Sequence, residues 1–323
     1  MESEQQEMLK MIVAYIDLLG TKRRMEESAE DALRPIYSYN NILIGNVCEE
    51  ISHTTESYEK PFQELAKINS INSFDYFLPF SDSIFIASYD CNSFIKQLGN
   101  YIFKLYYITR DLYNNPIDTS KPEKVLMHTF SFNQDGTSEI KENTCNYYPA
   151  LFRGGLSFED ISPIELLGIV NKQPTRIPIL TGKSVCNAVK LEGKVKGPRL
   201  VLDKNVYDQL DNDTRDYCRT TPEYQDLYEI LWPAFNYIKH SKPQHDKLEI
   251  DEIRKMLKPT NNLWKAYNHM DCSIHYFNLI ELIIASTIQF FDKKCQLKEL
   301  AKDEVSKWLK DNDMQDKIDI DKY

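Results

Sequence analysis

The sequence predicts an α+β fold, an antiparallel-rich sheet with helices on one face. Three observations predict it. Apolar, β-prone runs stop at or beside an aspartate in Val13-Ala14-Tyr15-Ile16-Asp17-Leu18-Leu19-Gly20 and again in residues 76–87. Stretches with helical apolar spacing separate these runs, and a glycine-containing strand around Arg153-Gly154-Gly155 follows them. The order reads βαββαβ followed by αβ through residue 210, so residues 1–210 form one domain. Residues 211–323 read as a helical extension packed on that domain or on a partner subunit.

Residues 11–17 read as a buried strand, and Gly20 permits the turn after it. Residues 31–51 show helical spacing through Leu33, Ile36, Leu43 and Val47, with Pro35 expected in the first turn. Residues 76–80 and 84–88 form a hairpin around Ser81-Asp82-Ser83, and Pro79 predicts a bulge or an unpaired position. Phe94, Ile95, Leu98, Ile102, Leu105 and Leu112 repeat at helical intervals. Residues 115–147 are a turn-rich excursion with a strand at 125–130 and a hairpin tip at Asp135-Gly136. Residues 151–158 are the next strand, its two glycines signalling close approach of a backbone or ligand. Residues 164–170 read as helical, 184–191 as a short helix, 199–202 as a strand and 205–210 as a helix. After residue 211 strand signals fade; helical patterns at 263–291 and 303–309 close the chain.

The chain has 323 residues, enough for a full core, and a formal net charge of -10, which argues against a general nucleic-acid binder. Seven cysteines at 48, 91, 145, 186, 218, 272 and 295 show neither CxxC pairs nor zinc spacing, and suit a reducing cytosol. The acidic start is unlike a signal peptide, and the most apolar run, 277–288, is interrupted by Asn278, Glu281, Ser286 and Thr287. The expectation is a cytoplasmic protein that engages neither membrane nor nucleic acid.

If the two strands lie side by side, Asp17 and Asp82 meet at one sheet edge. Carboxylates so placed repel unless a cation sits between them, and oxygen ligands suit Mg²⁺ or Mn²⁺. That pair reads as a metal holder for chemistry on a nucleoside triphosphate. Gly182-Lys183-Ser184 is not a P-loop, because Ile177 stands where the leading glycine belongs. His269, Asp271, Cys272 and His275 match no zinc spacing.

Four stretches, Ile16-Asp17-Leu18-Leu19-Gly20, Phe80-Ser81-Asp82-Ser83, Arg153-Gly154-Gly155-Leu156-Ser157-Phe158-Glu159 and residues 182–192, together with Pro198-Arg199-Leu200-Val201-Leu202, resemble class III nucleotide cyclases. Their order is similar to that of the pyrimidine cyclases of Pycsar antiphage defence. The resemblance covers roughly residues 8–210 and implies a ferredoxin-like βαββαβ core. It implies two divalent ions, Mn²⁺ or Mg²⁺, on Asp17, Asp82 and the Leu18 carbonyl, and backbone N–H groups from Leu19 and Gly20 to Lys22 cradling the distal phosphates. It also implies a homodimer with active sites between protomers, and a product acting on a separate effector protein.

The departures bear on substrate. The family's asparagine and arginine positions on the 182–192 helix hold Cys186 and Lys190; Lys190 keeps the charge without the bidentate fork, and Asn187 substitutes for Cys186 only in another register. Arg153 is a second candidate for the developing phosphate charge. The purine-selecting positions hold Leu78 and Ile179, which cannot read a purine's polar edge, so a pyrimidine stacked on Tyr76 or Phe80 fits better. Lys190 equally suits a solvated helix face, Arg153 a structural ion pair, and Tyr76 and Phe80 a core. The expected activity is conversion of UTP or CTP to cyclic UMP or cyclic CMP and pyrophosphate. The alternatives are a catalytically silent nucleotide-binding protein of this fold and an adenylate or guanylate cyclase.

Overall fold

The computed structural model describes residues 9–52, 60–118, 124–132, 138–146, 149–170, 172–240 and 250–323. Strand β1 (Leu9–Leu18) is the hinge of the architecture. Its even residues Ile12, Ala14, Ile16 and Leu18 enter the main core, while Met11 and Val13 enter a second cluster on the opposite face. Burial on both faces explains why this strand reads as one continuous apolar run. Gly20, at φ +81°, turns the chain into α1 (Thr21–Glu27), followed by α2 (Ala29–Ser52) and α3 (Lys60–Asn69). Helix α2 begins earlier than the spacing predicts, with Ala32 N–H donating to the Ser28 carbonyl at 3.3 Å. Pro35 therefore lies inside the helix, beyond its first turn, where its missing N–H costs one helical bond.

Strands β2 (Tyr76–Phe80) and β3 (Ser83–Ser88) form the expected hairpin. Their register is unbroken from Tyr76–Ala87 to Phe80–Ser83, with Pro79 opposite Ile84, so of the two expectations at Pro79, a bulge or an unpaired backbone position, the bulge is absent. The reason is position: β2 is the outermost strand of its sheet, where a missing donor can face solvent. Helix α4 (Cys91–Thr109) starts where the Asp90 carboxylate accepts from the N–H groups of Asn92 and Ser93. Strands β4 (Lys124–Phe132) and β5 (Ser138–Asn146) form a separate two-stranded ribbon; the expected tip at Asp135-Gly136 lies outside the described residues.

Strand β6 (Phe152–Val170) runs far beyond its expected end and pairs with β7 (Gln173–Gly182) from Ile161–Gly182 to Val170–Gln173. The helix expected at 164–170 is therefore a strand. Seven residues of helical spacing lose to ten cross-strand pairs and to the β-branched Ile164, Ile169 and Val170. Helix α5 (Lys183–Glu192) then lies on β6 at Gly155, where an added Cβ would stand 2.1 Å from the Ala188 carbonyl oxygen and 2.6 Å from the Glu192 nitrogen. This is the close approach that the paired glycines signal.

Strand β8 (Leu200–Leu202) runs parallel to β6, and α6 (Lys204–Gln209) and α7 (Asn212–Arg215) lead to β9 (Cys218–Thr220) and β10 (Tyr228–Ile230). These last two strands correct the expectation that strands end near residue 211; at three residues each they are too short to carry a periodic signal. The sheet order is β2-β3-β1-β6-β8-β10-β9, with β7 on the far half of β6. Its first four strands are antiparallel neighbours in the ferredoxin-like order of a βαββαβ unit.

Helices α8 (Ile250–Tyr267), α9 (Ser273–Phe290) and α10 (Lys298–Asp311) close the chain. Leu279, Ile283, Val305 and Leu309 share one apolar cluster with Ile12 and Ile16, so residue 210 does not divide two cores. Among the described residues, Ser273–Cys295 alone is long and apolar enough to cross a membrane, and 61% of its apolar window is buried inside the protein. It packs as a core helix.

Replacing Gly155 with alanine is expected to cost about 1–3 kcal/mol in urea unfolding, because neither α5 nor β6 can retreat without losing its packing. Gly45→Ala, at an α2 position with nothing within 4 Å of the new methyl, should fall within about 1 kcal/mol of wild type and on the stabilising side.

Candidate active site

Register builds the site. On β1, Asp17 stands opposite Ser83 of β3 on one side and opposite Arg153 of β6 on the other. Directly paired residues project to the same face, so the three side chains converge. The Leu18 N–H donates to the Asp82 carbonyl at 3.1 Å, which ties the hairpin turn to the end of β1 and brings the second aspartate beside the first. The Ser83 hydroxyl donates to Asp17 Oδ1 at 2.8 Å. With that proton committed, the Tyr15 hydroxyl, 3.0 Å away, donates to Ser83 Oγ. Arg153 Nη2 is 3.9 Å from Asp17 Oδ2, and its Nε contacts Glu192, the last residue of α5.

Burial pushes the Asp17 carboxyl above the usual carboxylate range; the Ser83 hydrogen bond opposes this, the Asp82 charge adds to it and Arg153 opposes it. Burial likewise raises Glu192 against the pull of Arg153, and the Asp17 charge adds to it. Burial is also the main reason that the Tyr15 hydroxyl is raised. At Asp17, burial and the neighbouring Asp82 charge thus outweigh the Ser83 hydrogen bond and the distant Arg153.

The donors fit a hard divalent ion. Asp17 and Asp82 supply carboxylates, and the Leu18 carbonyl, which accepts from Thr21 Oγ1 at 2.8 Å, keeps a second lone pair. Among the described residues no group of three or more His, Cys, Asp or Glu side chains could hold a metal ion. Asp17 and Asp82 would suffice to hold a Mg²⁺ ion that is bound together with substrate phosphates.

The remaining expected residues divide. Tyr76 and Leu78 line the same sheet face as Tyr15 and Phe85, packed on Met11, Val13 and Ala87. Tyr15 and Phe85 have ring centroids 4.9 Å apart. This apolar floor runs from the aspartates toward β2. Phe80 is largely exposed. Ile179 is not brought to Leu78: it pairs with Ile164 on the β6–β7 hairpin. The Leu19 N–H is spent on the Leu151 carbonyl at 2.8 Å and cannot cradle a phosphate, which corrects that part of the expectation. Gly20, Thr21 and Lys22 remain at the start of α1, where helical N–H groups have no helical acceptor. On α5, Cys186 and Lys190 are exposed and Asn187 is half-buried. Lys190 is not among the charges acting on Asp17.

Three residues that serve the site went unread in the sequence: Tyr15, Ser83 and Glu192. The signal for Ser83 was its place in the hairpin turn, one residue from Asp82. A carboxylate at the last position of a helix, against the dipole, was the signal for Glu192. The cavity lined by Lys67, Ile68, Asn72, Ser93, Lys96 and Gln97 contains none of these residues, and its Lys96 is paired with Asp213.

No protein-family model matches the chain, and no curated protein sequence matches it. Among solved structures, the guanylyl cyclase Cya2 is similar at 11% identity over 70% of this chain and 91% of that one, with a TM-score of 0.39. The guanylate cyclase domain of RhGC from Catenaria anguillulae, in complex with GTP, is similar at 10% identity over 68% and 95%, with a TM-score of 0.37. The adenylyl cyclase CyaB from P. aeruginosa is similar at 12% identity over 69% and 94%, with a TM-score of 0.36.

Because the Asp17 carboxyl is raised on folding, its effect favours the folded chain below the ordinary carboxylate range, and that advantage is lost as pH rises through the raised value. Asp17→Asn should therefore raise the Tm of the metal-free protein at pH 7 by on the order of 2 °C and leave it unchanged at pH 3. The same variant should lose any rise in Tm that Mn²⁺ gives the wild type. Differential scanning fluorimetry at the two pH values reads both.

Proposed function

We propose that this chain is a class III-type nucleotide cyclase that converts UTP or CTP to cyclic UMP or cyclic CMP and pyrophosphate. The observation that carries this reading is the meeting of Asp17 and Asp82 at the end of the central strand of a ferredoxin-like sheet. The four sequence stretches that resemble the family support it.

In this reading Asp17, Asp82 and the Leu18 carbonyl hold Mn²⁺ or Mg²⁺. Bound divalent ions supply charge to the triphosphate and lower the pKa of the ribose 3′-hydroxyl. The chain's own residues position and shield. Ser83 and Tyr15 fix the Asp17 carboxylate through their hydrogen-bond relay. The amides of Gly20, Thr21 and Lys22 face the distal phosphates. The 3′-oxygen bonds to the α-phosphorus as the bond to the β-phosphate oxygen breaks, pyrophosphate leaves, and the hydroxyl proton passes to water. Arg153, beside Asp17, offsets the charge that develops on phosphate; Lys190 of a second protomer is the other candidate. Tyr15, Phe85, Tyr76 and Leu78 form an apolar floor for the base, with no charged side chain among them to read a purine edge. Such a floor stacks any base; in this reading it is Leu78, apolar where a purine-selecting residue would be polar, that favours a pyrimidine.

A homodimer is part of the same reading. The β6–β7 hairpin exposes Leu167 at 78% and Ile169 at 81%, with Leu166 and Ile177 on its other face. A two-stranded ribbon apolar on both faces is marginal alone in water. A second copy of the chain covering it would bring two sites together. The product would act on a separate effector protein in antiphage defence, in the cytoplasm.

Incubation with each of the four ribonucleoside triphosphates and Mn²⁺, read by mass spectrometry, should yield a cyclic pyrimidine nucleotide. A cyclic purine would overturn the pyrimidine reading. Triphosphate binding with no product would mark a silent binding protein instead, the alternative that the departures at Cys186 and Lys190 leave open. Asp17→Ala should abolish turnover while the circular dichroism spectrum is kept. Leu167→Asp with Ile169→Asp should give a monomer by sedimentation and lose activity; an unchanged dimer refutes the role of the hairpin.

A further inference from the structure

Glu192 sits where a carboxylate is disfavoured twice. It ends α5, where the helix carbonyls and the negative end of the dipole lie, and its side chain is only 12% exposed. Packing forces it there, because the bare backbone of Gly155 lets α5 settle directly on β6. What it meets is Arg153. The guanidinium is shared unequally: its Nε contacts Glu192, while its Nη2 stays 3.9 Å from Asp17 Oδ2, at the outer reach of an ion pair.

This inequality matters for Asp17. Ser83 already occupies Oδ1, so Oδ2 is the oxygen left for a cation. Arg153 is anchored directly across the strand pair from Asp17. A free guanidinium there would close onto the carboxylate as a fork, the strongest arrangement that the two groups can make. It would satisfy Asp17 in place of a metal.

We propose that Glu192 is a positioning residue that anchors Arg153 by its Nε edge and so keeps Asp17 open to a divalent cation. This rests on the cation-holding role given to Asp17 above. It adds that Arg153, released, becomes the competitor of the ion it stands beside.

The test is Mn²⁺ binding to the full chain without nucleotide, followed by the electron paramagnetic resonance signal of free Mn²⁺. Wild type should bind, and Asp17→Ala should not. Glu192→Gln should weaken binding by about tenfold or more, and adding Arg153→Ala to it should restore wild-type affinity or better. A Glu192 that merely held the fold together would give no such rescue. Wild-type affinity in Glu192→Gln, or a double variant as weak as the single, overturns the proposal. Glu192→Asp keeps the charge but draws it back by one methylene, and should weaken binding in the same direction. It decides the matter if the glutamine variant fails to fold, and wild-type affinity in it overturns the proposal. Mn²⁺ binding that ignores Asp17→Ala would instead remove the cation role of Asp17 itself, and this inference with it.

Discussion

The antiparallel register of β1 is the constraint on which the site depends. Side chains alternate faces along a strand, so a slip of one residue would turn Asp17 into the main core in the place of Leu18 or Ile16. Over residues 11–14 both faces are equally apolar and buried, so what penalises that slip is Asp17 itself, a charge carried into the core. Past the strand end, the Leu18 and Leu19 amides are tied to the Asp82 and Leu151 carbonyls. Both flanking segments are thereby held where the carboxylates meet. The charge pair is placed by hydrophobic burial, which pays for bringing two like charges together.

Much of this was legible in the sequence for a physical reason. Asp17 and Asp82 interrupt runs that otherwise belong in a core, and a charged residue at such a point has few explanations. The hairpin around Ser81-Asp82-Ser83 and the helix at Lys183–Glu192 were equally readable, since each carries its own local signal of turn or spacing. What stayed hidden depends on partners distant in the chain. The 164–170 segment keeps a locally helical spacing, and only its pairing with Gln173–Gly182 makes it a strand. Three-residue strands such as Cys218–Thr220 have no period to detect. The Leu19 amide suits a phosphate by its place in the turn, but the Leu151 carbonyl, remote in the chain, accepts from it. Ile179 was aligned by spacing to a base pocket that the fold does not bring to it.

The helical tail serves the site indirectly. Its apolar residues share the cluster that receives Ile12, Ala14 and Ile16 of β1, so the strand's even face is covered by chain from both ends of the sequence. The odd face is covered only in part, by α5 over Gly155. The remainder, from Tyr15 to Leu78, is a half-buried apolar strip, the one the proposed reading gives to the base.

A comparison within the chain shows that the poor pairing of Asp17 is not a lack of means. Glu229 on β10 is wholly buried, and two arginines answer it: Arg199 Nε at 2.5 Å and Arg219 Nε at 2.7 Å. There the fold solves the problem of a buried carboxylate outright, as a buried charge requires. At Asp17 it has an arginine in the neighbouring strand position and does not use it in that way. The guanidinium is turned toward Glu192, and Asp17 keeps one hydroxyl donor and a distant cation. A half-buried carboxylate so weakly paired beside another carboxylate costs stability, and in the proposed reading a bound divalent cation would offset that cost. The contrast follows burial: Glu229, wholly buried, requires both guanidinium groups, whereas Asp17, a quarter exposed, is left with one hydroxyl donor and an arginine 3.9 Å away.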